Sequence, residues 1–216
     1  MTDPRPRVLH QRLGAVLQEG WRDSTPWGYP HQVELALIAG VFRAQTSQAN
    51  VDQLVDTVMR SRVHSLLDDL AELANGGTKT IVSLLGPRWG DASVLGVPVM
   101  RASVIHDAAV ALVALGVRSA ADLRAAVLEK PDAVEAAVLG VRGIGPGTWA
   151  WIAFLAHVPV RPGTKTVTFV SEAVGEGKRL SAEETAELLR LTARRFASDE
   201  RVLAHALHTY LDARDH

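Results

Sequence analysis

The stretch VRGIGPGTWAWIAFLAHVPVRPGTKTV, residues 141–167, decides how the chain is read. Gly140, just before it, can end one helix. Gly143 and Gly145 permit positive φ and close backbone approach. Pro146 suits the first turn of a following helix, and Pro159 stops that helix. The spacing predicts two helices joined by a tight turn, with the amides of Gly145, Gly147 and Thr148 exposed where the second begins. Such amides receive an anion, most simply a backbone phosphate. A phosphate contact positions a protein on nucleic acid without reading its sequence. Taken alone, a G-x-G of this kind is more often a plain inter-helix turn.

Outward from that turn the sequence reads as helix nearly throughout. Upstream, Pro131 opens a helix to Gly140, and Ser119 with Asp122 has capping-box spacing for a helix to about Glu129. Ser103 begins one that ends before Gly116. Residues 64–74 and 78–86 are predicted as two short helices around the turn Asn75-Gly76-Gly77, and residues 87–100 as irregular. Ser47 is placed to cap a helix with Val51, Leu54, Val55 and Val58 on one stripe. Residues 31–44 are apolar on almost every side, which places that helix in the middle of a bundle. Residues 20–30 form a breaker-rich connector, and 8–19 repeat apolar groups at helical spacing. Downstream, helices are expected from about Gly147 to His157, from Thr164 to Val174 closed by Gly175, from Ser181 (a capping box with Glu184) to Phe196, and from Asp199 to Ala213. No alternating strand pattern and no internal repeat is present. The fold class is all-α.

The bulk numbers narrow the chemistry. The 216 residues suffice for one large domain or two small lobes, and 47% hydrophobic with 22% charged residues is ordinary for a globular chain. There is no cysteine. That excludes disulfides, a thiolate nucleophile, cysteine-held zinc and an iron–sulfur cluster. The first residues, MTDPRPRVLHQ, carry no apolar signal core, and no run approaches a membrane span. The expectation is a soluble, cytoplasmic, monomeric protein with no membrane partner. Net charge is −1, but residues 141–179 carry +3 and residues 1–22 carry +2. Two basic ends form one basic face if the termini meet in space.

LGVRGIGPGTWAWIAF resembles the helix-hairpin-helix of the endonuclease III-like DNA glycosylase superfamily, whose pattern is L-P-G-V-G-x-K-T-A. FRAQT at 42–46 resembles that family's L-L-S-A-Q-T segment, Arg101-Ala102 its Lys-Ala, and VRPGTKTVTFV at 160–170 the segment after its hairpin. The resemblance covers roughly residues 31–174. It implies a two-lobed helical bundle: residues 31–157 carry the hairpin, and residues 1–30 with 158–216 form a second lobe. Double-stranded DNA, damaged or intact, would lie across the cleft with one nucleotide turned out of the stack. Gln45 would enter the duplex where that nucleotide has left. Arg142, Gly143, Gly145, Gly147, Thr148 and Lys165 would meet the backbone. Carbonyls of Leu139, Val141 and Ile144 match positions that hold a structural Na⁺ or K⁺ in relatives; no other cofactor is implied.

The resemblance fails at the chemistry. The family's essential aspartate corresponds to Gly163, and the lysine nucleophile of its strand-cutting members to Gly147. Three readings follow. The protein binds DNA as a clamp, with weak or no glycosylase activity. It is an active monofunctional glycosylase removing, for example, alkylated bases with displaced groups. Or Gly163 replaces a natural aspartate. Displaced groups to weigh are Lys165, His157, Glu34 and Asp52, each with a commoner structural role. Trp27, Tyr29, Trp149 and Trp151 are candidates for base stacking against ordinary packing. His205 and His208 share a helix face, a weak two-ligand metal site. A helical interaction module unconnected with DNA is the reading of a different class.

Overall fold

The computed structural model describes residues 3–23, 28–159, 161–175, 177 and 179–214. Trp27, and the charged Glu176 and Lys178 of the basic count, lie outside the described residues. Eleven α-helices run through the rest: α1 (Arg5–Val16), α2 (Val33–Arg43), α3 (Gln48–Ser61), α4 (Leu70–Leu85), α5 (Arg101–Ala114), α6 (Ala120–Glu129), α7 (Pro131–Leu139), α8 (Pro146–Leu155), α9 (Thr164–Val174), α10 (Ala182–Arg195) and α11 (Glu200–Ala213). Among the described residues there is no strand, only an isolated bridge between Ser93 and Met100. No helix there is long and apolar enough to cross a membrane.

Local chemistry explains most boundaries. Ser119 accepts from the Asp122 amide at 3.1 Å while Asp122 accepts from the Ser119 amide at 2.9 Å. Ser181 and Glu184 repeat the device at 3.1 and 2.7 Å. Both satisfy amides that a helix start leaves orphaned. Gly175, at φ 72°, closes α9 in the left-handed conformation.

Four expectations need correcting. Ser47 stands at the start of α3 but its side chain makes no capping bond; its hydroxyl is exposed and has solvent as the alternative partner. The helix expected from residue 64 begins at Leu70, because Ser65 Oγ accepts from Arg62 and from the Leu67 amide, Leu67 takes φ 56°, and Asp69 caps from there. The helices expected on either side of Gly77 meet across that residue, which breaks α4 at φ 70°, ψ 170°. Helix α5 starts at Arg101 rather than Ser103, its first amide held by the Ala92 carbonyl at 2.8 Å.

The chain forms two compact units. In residues 28–160, α2 is central. Its residues Val33 through Phe42 are all buried, a helix apolar on every side. Helix α8 packs on it through Gly40, where a Cβ would stand 2.5 Å from Ile152 Cγ1 and 2.8 Å from Ile152 backbone. Helices α3, α4 and α5 complete the surround. The second unit, residues 1–27 with 161–216, packs α1, α9, α10 and α11 around Leu9, Leu13, Val170, Leu203 and Leu207.

Candidate functional site

The turn from α7 into α8 is built on one obligatory glycine. Gly143 lies at φ 102°, and a Cβ there would come within 2.9 Å of Val104 Cγ2. The turn closes with the Ile144 amide donating to Val141 O at 3.0 Å. Helix α8 then begins at Gly145 without a side-chain cap and without an acid in its first turn. Pro146 has no N–H to satisfy, and the first helical bond returning to the turn is from Trp149 to Gly145 O at 3.0 Å. The amides of Gly145, Gly147 and Thr148 therefore find no acceptor among the described residues.

These amides border an open depression of about 450 Å³, lined by Gly143, Ile144, Gly145, Gly147 and Thr148 on one side. Ala44 and Gln45, just past the end of α2, and Val94, Leu95 and Val97 of the loop before α5 line the other. The structure thus brings the glutamine of FRAQT to the glycine turn. Gln45 is exposed, and its Oε1 accepts from the Leu95 amide at 2.7 Å and from Arg101 Nη2 at 3.2 Å. Gln45 thus bonds to a loop backbone while remaining on the surface.

Arg101 lies behind Gln45. It is only 7% exposed, donates from Nη1 to Thr46 Oγ1 at 3.0 Å, and rests over the Phe42 ring at 4.6 Å. No carboxylate pairs with it among the described residues, and its Nε is buried without an acceptor. Burial pushes its pKa below the ordinary arginine value. Arg88 is also held by neutral groups, Gln53 Oε1 at 2.5 Å and Asn50 Oδ1 at 3.0 Å, and lies over Trp89 at 4.4 Å. By contrast Arg62, Arg118, Arg161, Arg190 and Arg201 each meet a carboxylate.

Leu95 escaped the sequence reading. It is 80% exposed at the rim of the depression, presented by a tight loop with Gly96 at φ 77° and a Val94–Val99 backbone bond of 2.9 Å. Only the run of turn residues between Pro87 and Pro98 hinted at a shaped loop there.

The other candidates separate. Arg142 is exposed and makes no ion pair among the described residues, but does not line the depression. Val141 O already accepts the Ile144 amide, so a monovalent cation on the carbonyls of Leu139, Val141 and Ile144 would use its second lone pair. Glu34 is fully buried, bonded to Arg62 and to the Asp69 amide at 3.3 Å. Burial raises its pKa, and Arg62 pulls it back in part. Asp52 is exposed and accepts from Gln48 at 2.7 Å. Neither carboxylate lines the depression, whose lining holds no titratable side chain. Trp149, 5% exposed, is core and offers no stacking face. Trp151 lies beneath Arg43 at 4.5 Å and edge-on to Phe154. Tyr29 packs on the core, its pKa pushed up to about 12 by burial and by Asp52 and Asp56. His157 closes α8 in the left-handed region at φ 55°.

Gly163 and Lys165 belong to the other unit. Gly163 begins α9 at φ −69°, ψ 168°, which any residue adopts, and a Cβ there meets nothing within 4 Å. The same holds of the space beside Gly147. Packing therefore forces neither glycine, in contrast to Gly143 and Gly40. Lys165 is exposed in the first turn of α9. His205 and His208 share α11; burial, then the His208 charge, pushes His205 down. No group of three His, Cys, Asp or Glu suited to a metal occurs among the described residues.

One protein-family model matches the chain, over residues 8–211, and the chain belongs to that family, described as a domain of unknown function, DUF8548. No curated protein and no solved structure matches it.

Proposed function

We propose that this member of the DUF8548 family binds double-stranded DNA through the turn into α8, in the manner of the helix-hairpin-helix glycosylases it resembles, and is weak or inactive in base excision. One observation carries the reading: Gln45 and the unpaired amides of Gly145, Gly147 and Thr148 border one open depression. The amides would take a backbone phosphate, aided by the helix dipole. Gln45 and the exposed Leu95 would stand at the duplex where a nucleotide is displaced, a polar and an apolar probe at one rim. The uncompensated charge of Arg101, backed by Arg142, favours an anion there. The want of any titratable side chain in the lining supports binding over catalysis. Losing an electrostatic stabiliser typically costs a factor of roughly 10²–10³ in rate.

The test is fluorescence anisotropy with a duplex carrying an abasic-site analogue. Affinity is expected to fall steeply between about 50 and 200 mM salt, through counterion release. Gly147→Asp sets a carboxylate among the amides, in space that is open. It should weaken binding at least about tenfold while its charge suits the helix start; Gly147→Ala should bind as the parent does. A chain that retains no duplex at low salt ends the proposal. Single-turnover base release on alkylated, oxidised and deaminated duplexes then separates a clamp from an enzyme. Release by the unaltered chain would mean displaced catalytic groups. Release only after Gly163→Asp would identify the missing acid.

A further inference from the structure

Two donors converge on one atom of Gln45. The Leu95 amide reaches Oε1 at 2.7 Å and Arg101 Nη2 reaches it at 3.2 Å. Neither donor can accept a hydrogen bond. Chemistry therefore fixes which end of the side-chain amide faces them, a choice that is otherwise ambiguous for glutamine. The oxygen points inward and the NH₂ points away. Among the described residues that NH₂ donates to nothing, and Gln45 is exposed on the lining of the depression.

Arg101 is set for this task by contacts that leave it little freedom. Phe42 lies under the guanidinium at 4.6 Å, Thr46 takes Nη1 at 3.0 Å, and the residue is 7% exposed. A buried guanidinium without a carboxylate is costly to keep. Its charge strengthens the bond to the Gln45 carbonyl, as charge-assisted bonds are about twice as strong as neutral ones. An unrestrained glutamine could turn its oxygen or its nitrogen outward and would read donors and acceptors alike.

We propose that Arg101 is a positioning residue that locks Gln45 as a hydrogen-bond donor, so that the site selects ligands presenting an acceptor. The acceptor class is a carbonyl oxygen or ring nitrogen on the edge of the unpaired base that faces a gap in the duplex. The inference rests on the DNA-binding reading above and adds to it a rule for which opposing base is preferred.

The experiment compares two duplexes bearing the same abasic-site analogue. One places thymine opposite it, and the other difluorotoluene, a thymine isostere in which C–F replaces each carbonyl and C–H replaces the ring N–H. Discrimination is the ratio of the two affinities, referred to that of Gln45→Ala. The unaltered chain is expected to favour thymine about 5- to 10-fold over that reference, the worth of one hydrogen bond to an otherwise unsatisfied group. Arg101→Met should lose most of this preference and keep its circular dichroism, while the loss of its charge lowers the affinity for every duplex by a common factor that cancels in the ratio. Arg101→Lys, which retains a donor, should recover part of it. Gln45→Glu, whose carboxylate has no donor to offer and pairs with Arg101, should lose it too, and serves if Arg101→Met does not fold. An unaltered chain that binds both duplexes no more selectively than Gln45→Ala overturns the donor lock and leaves DNA binding standing. Full discrimination in Arg101→Met overturns the role of Arg101. Failure to bind either duplex removes both readings together.

Discussion

The two ends of α2 lie in the same unit and are built on opposite principles. At its start every charge is answered. The Val33 amide donates to Asp68 Oδ1 at 2.9 Å, and the same oxygen takes the Ala120 amide at 2.8 Å. Glu34 meets Arg62, and Asp69 meets Arg118 at 2.6 Å while capping α4. Past its far end, Arg101 is buried against neutral acceptors only, and neither α3, the next helix in the chain, nor α8, whose start lines the depression, has a side-chain cap or a first-turn acid. A closed network holds a fold and leaves nothing for a ligand to satisfy. Donors without a protein acceptor around an open depression are left to water in the free protein and stay available to an anion.

The sharpest way to break this comparison is to make one substitution at both ends. Arg62→Met leaves the fully buried Glu34 without its guanidinium and should cost about 3–5 kcal/mol of unfolding free energy at neutral pH, the usual result of removing one partner of a buried pair. Arg101→Met removes a cation that has no carboxylate and leaves a side chain suited to the Phe42 ring. Its expected effect is within about 1 kcal/mol of zero, in either direction. Urea titration of both variants decides the matter. Equal losses would mean that Arg101 is as much a part of the scaffold as Arg62.

Glycine sharpens the same contrast on a smaller scale. Gly40→Ala puts a methyl 2.5 Å from Ile152 Cγ1 and 2.8 Å from Ile152 backbone, which cannot step aside as a side chain can. Overpacking of this kind costs about 1–3 kcal/mol. Gly147→Ala lies in open space within the first turn of α8 and should gain up to about 1 kcal/mol through the unfolded chain. Thermal unfolding of the pair shows whether α8 is fixed by its packed face and free at its start. A loss at Gly147 as large as that at Gly40 would mean that its surroundings are already filled.

What was legible in the sequence was what neighbours in the chain decide. Capping boxes at Ser119 and Ser181, the proline at 131 and the αL glycine at 175 act over three or four residues, so the helices they bound could be read directly. The all-round apolar run of α2 likewise announced its burial. The site depends on contacts between residues far apart in the chain. Gln45 meets Leu95 and Arg101 across fifty and fifty-six positions, and Arg62 meets Glu34 across twenty-eight. No periodicity records such pairings. The sequence weighs packing against stacking for Trp149 and Trp151 alike, two apart on one helix; the packing of α8 on α2 shows that Trp149 is inside. The Ser47 cap failed on a different ground. The right residue type at the right place supplies an option that an exposed hydroxyl need not take.

The smallest expected effect comes from pH, through the buried carboxyl at the closed end of α2. Burial holds the Glu34 carboxyl above its ordinary pKa even with Arg62 beside it. The folded chain therefore binds that proton more tightly than the unfolded chain does. Stability attributable to Glu34 rises as pH falls through its folded pKa, and its cost is present in full well above that value. Glu34→Gln keeps the size of the side chain and removes the ionisation. The difference in unfolding free energy between Glu34→Gln and the parent should favour the variant most at high pH and shrink as pH is lowered. Taking that difference cancels the other titrating groups, including His10 and His205, whose burial pushes their pKa values the opposite way for a base. Over the same range duplex affinity should stay level, since the depression is lined by no titratable side chain. A binding curve that follows the Glu34 profile would show that the two ends of α2 are coupled rather than separately built.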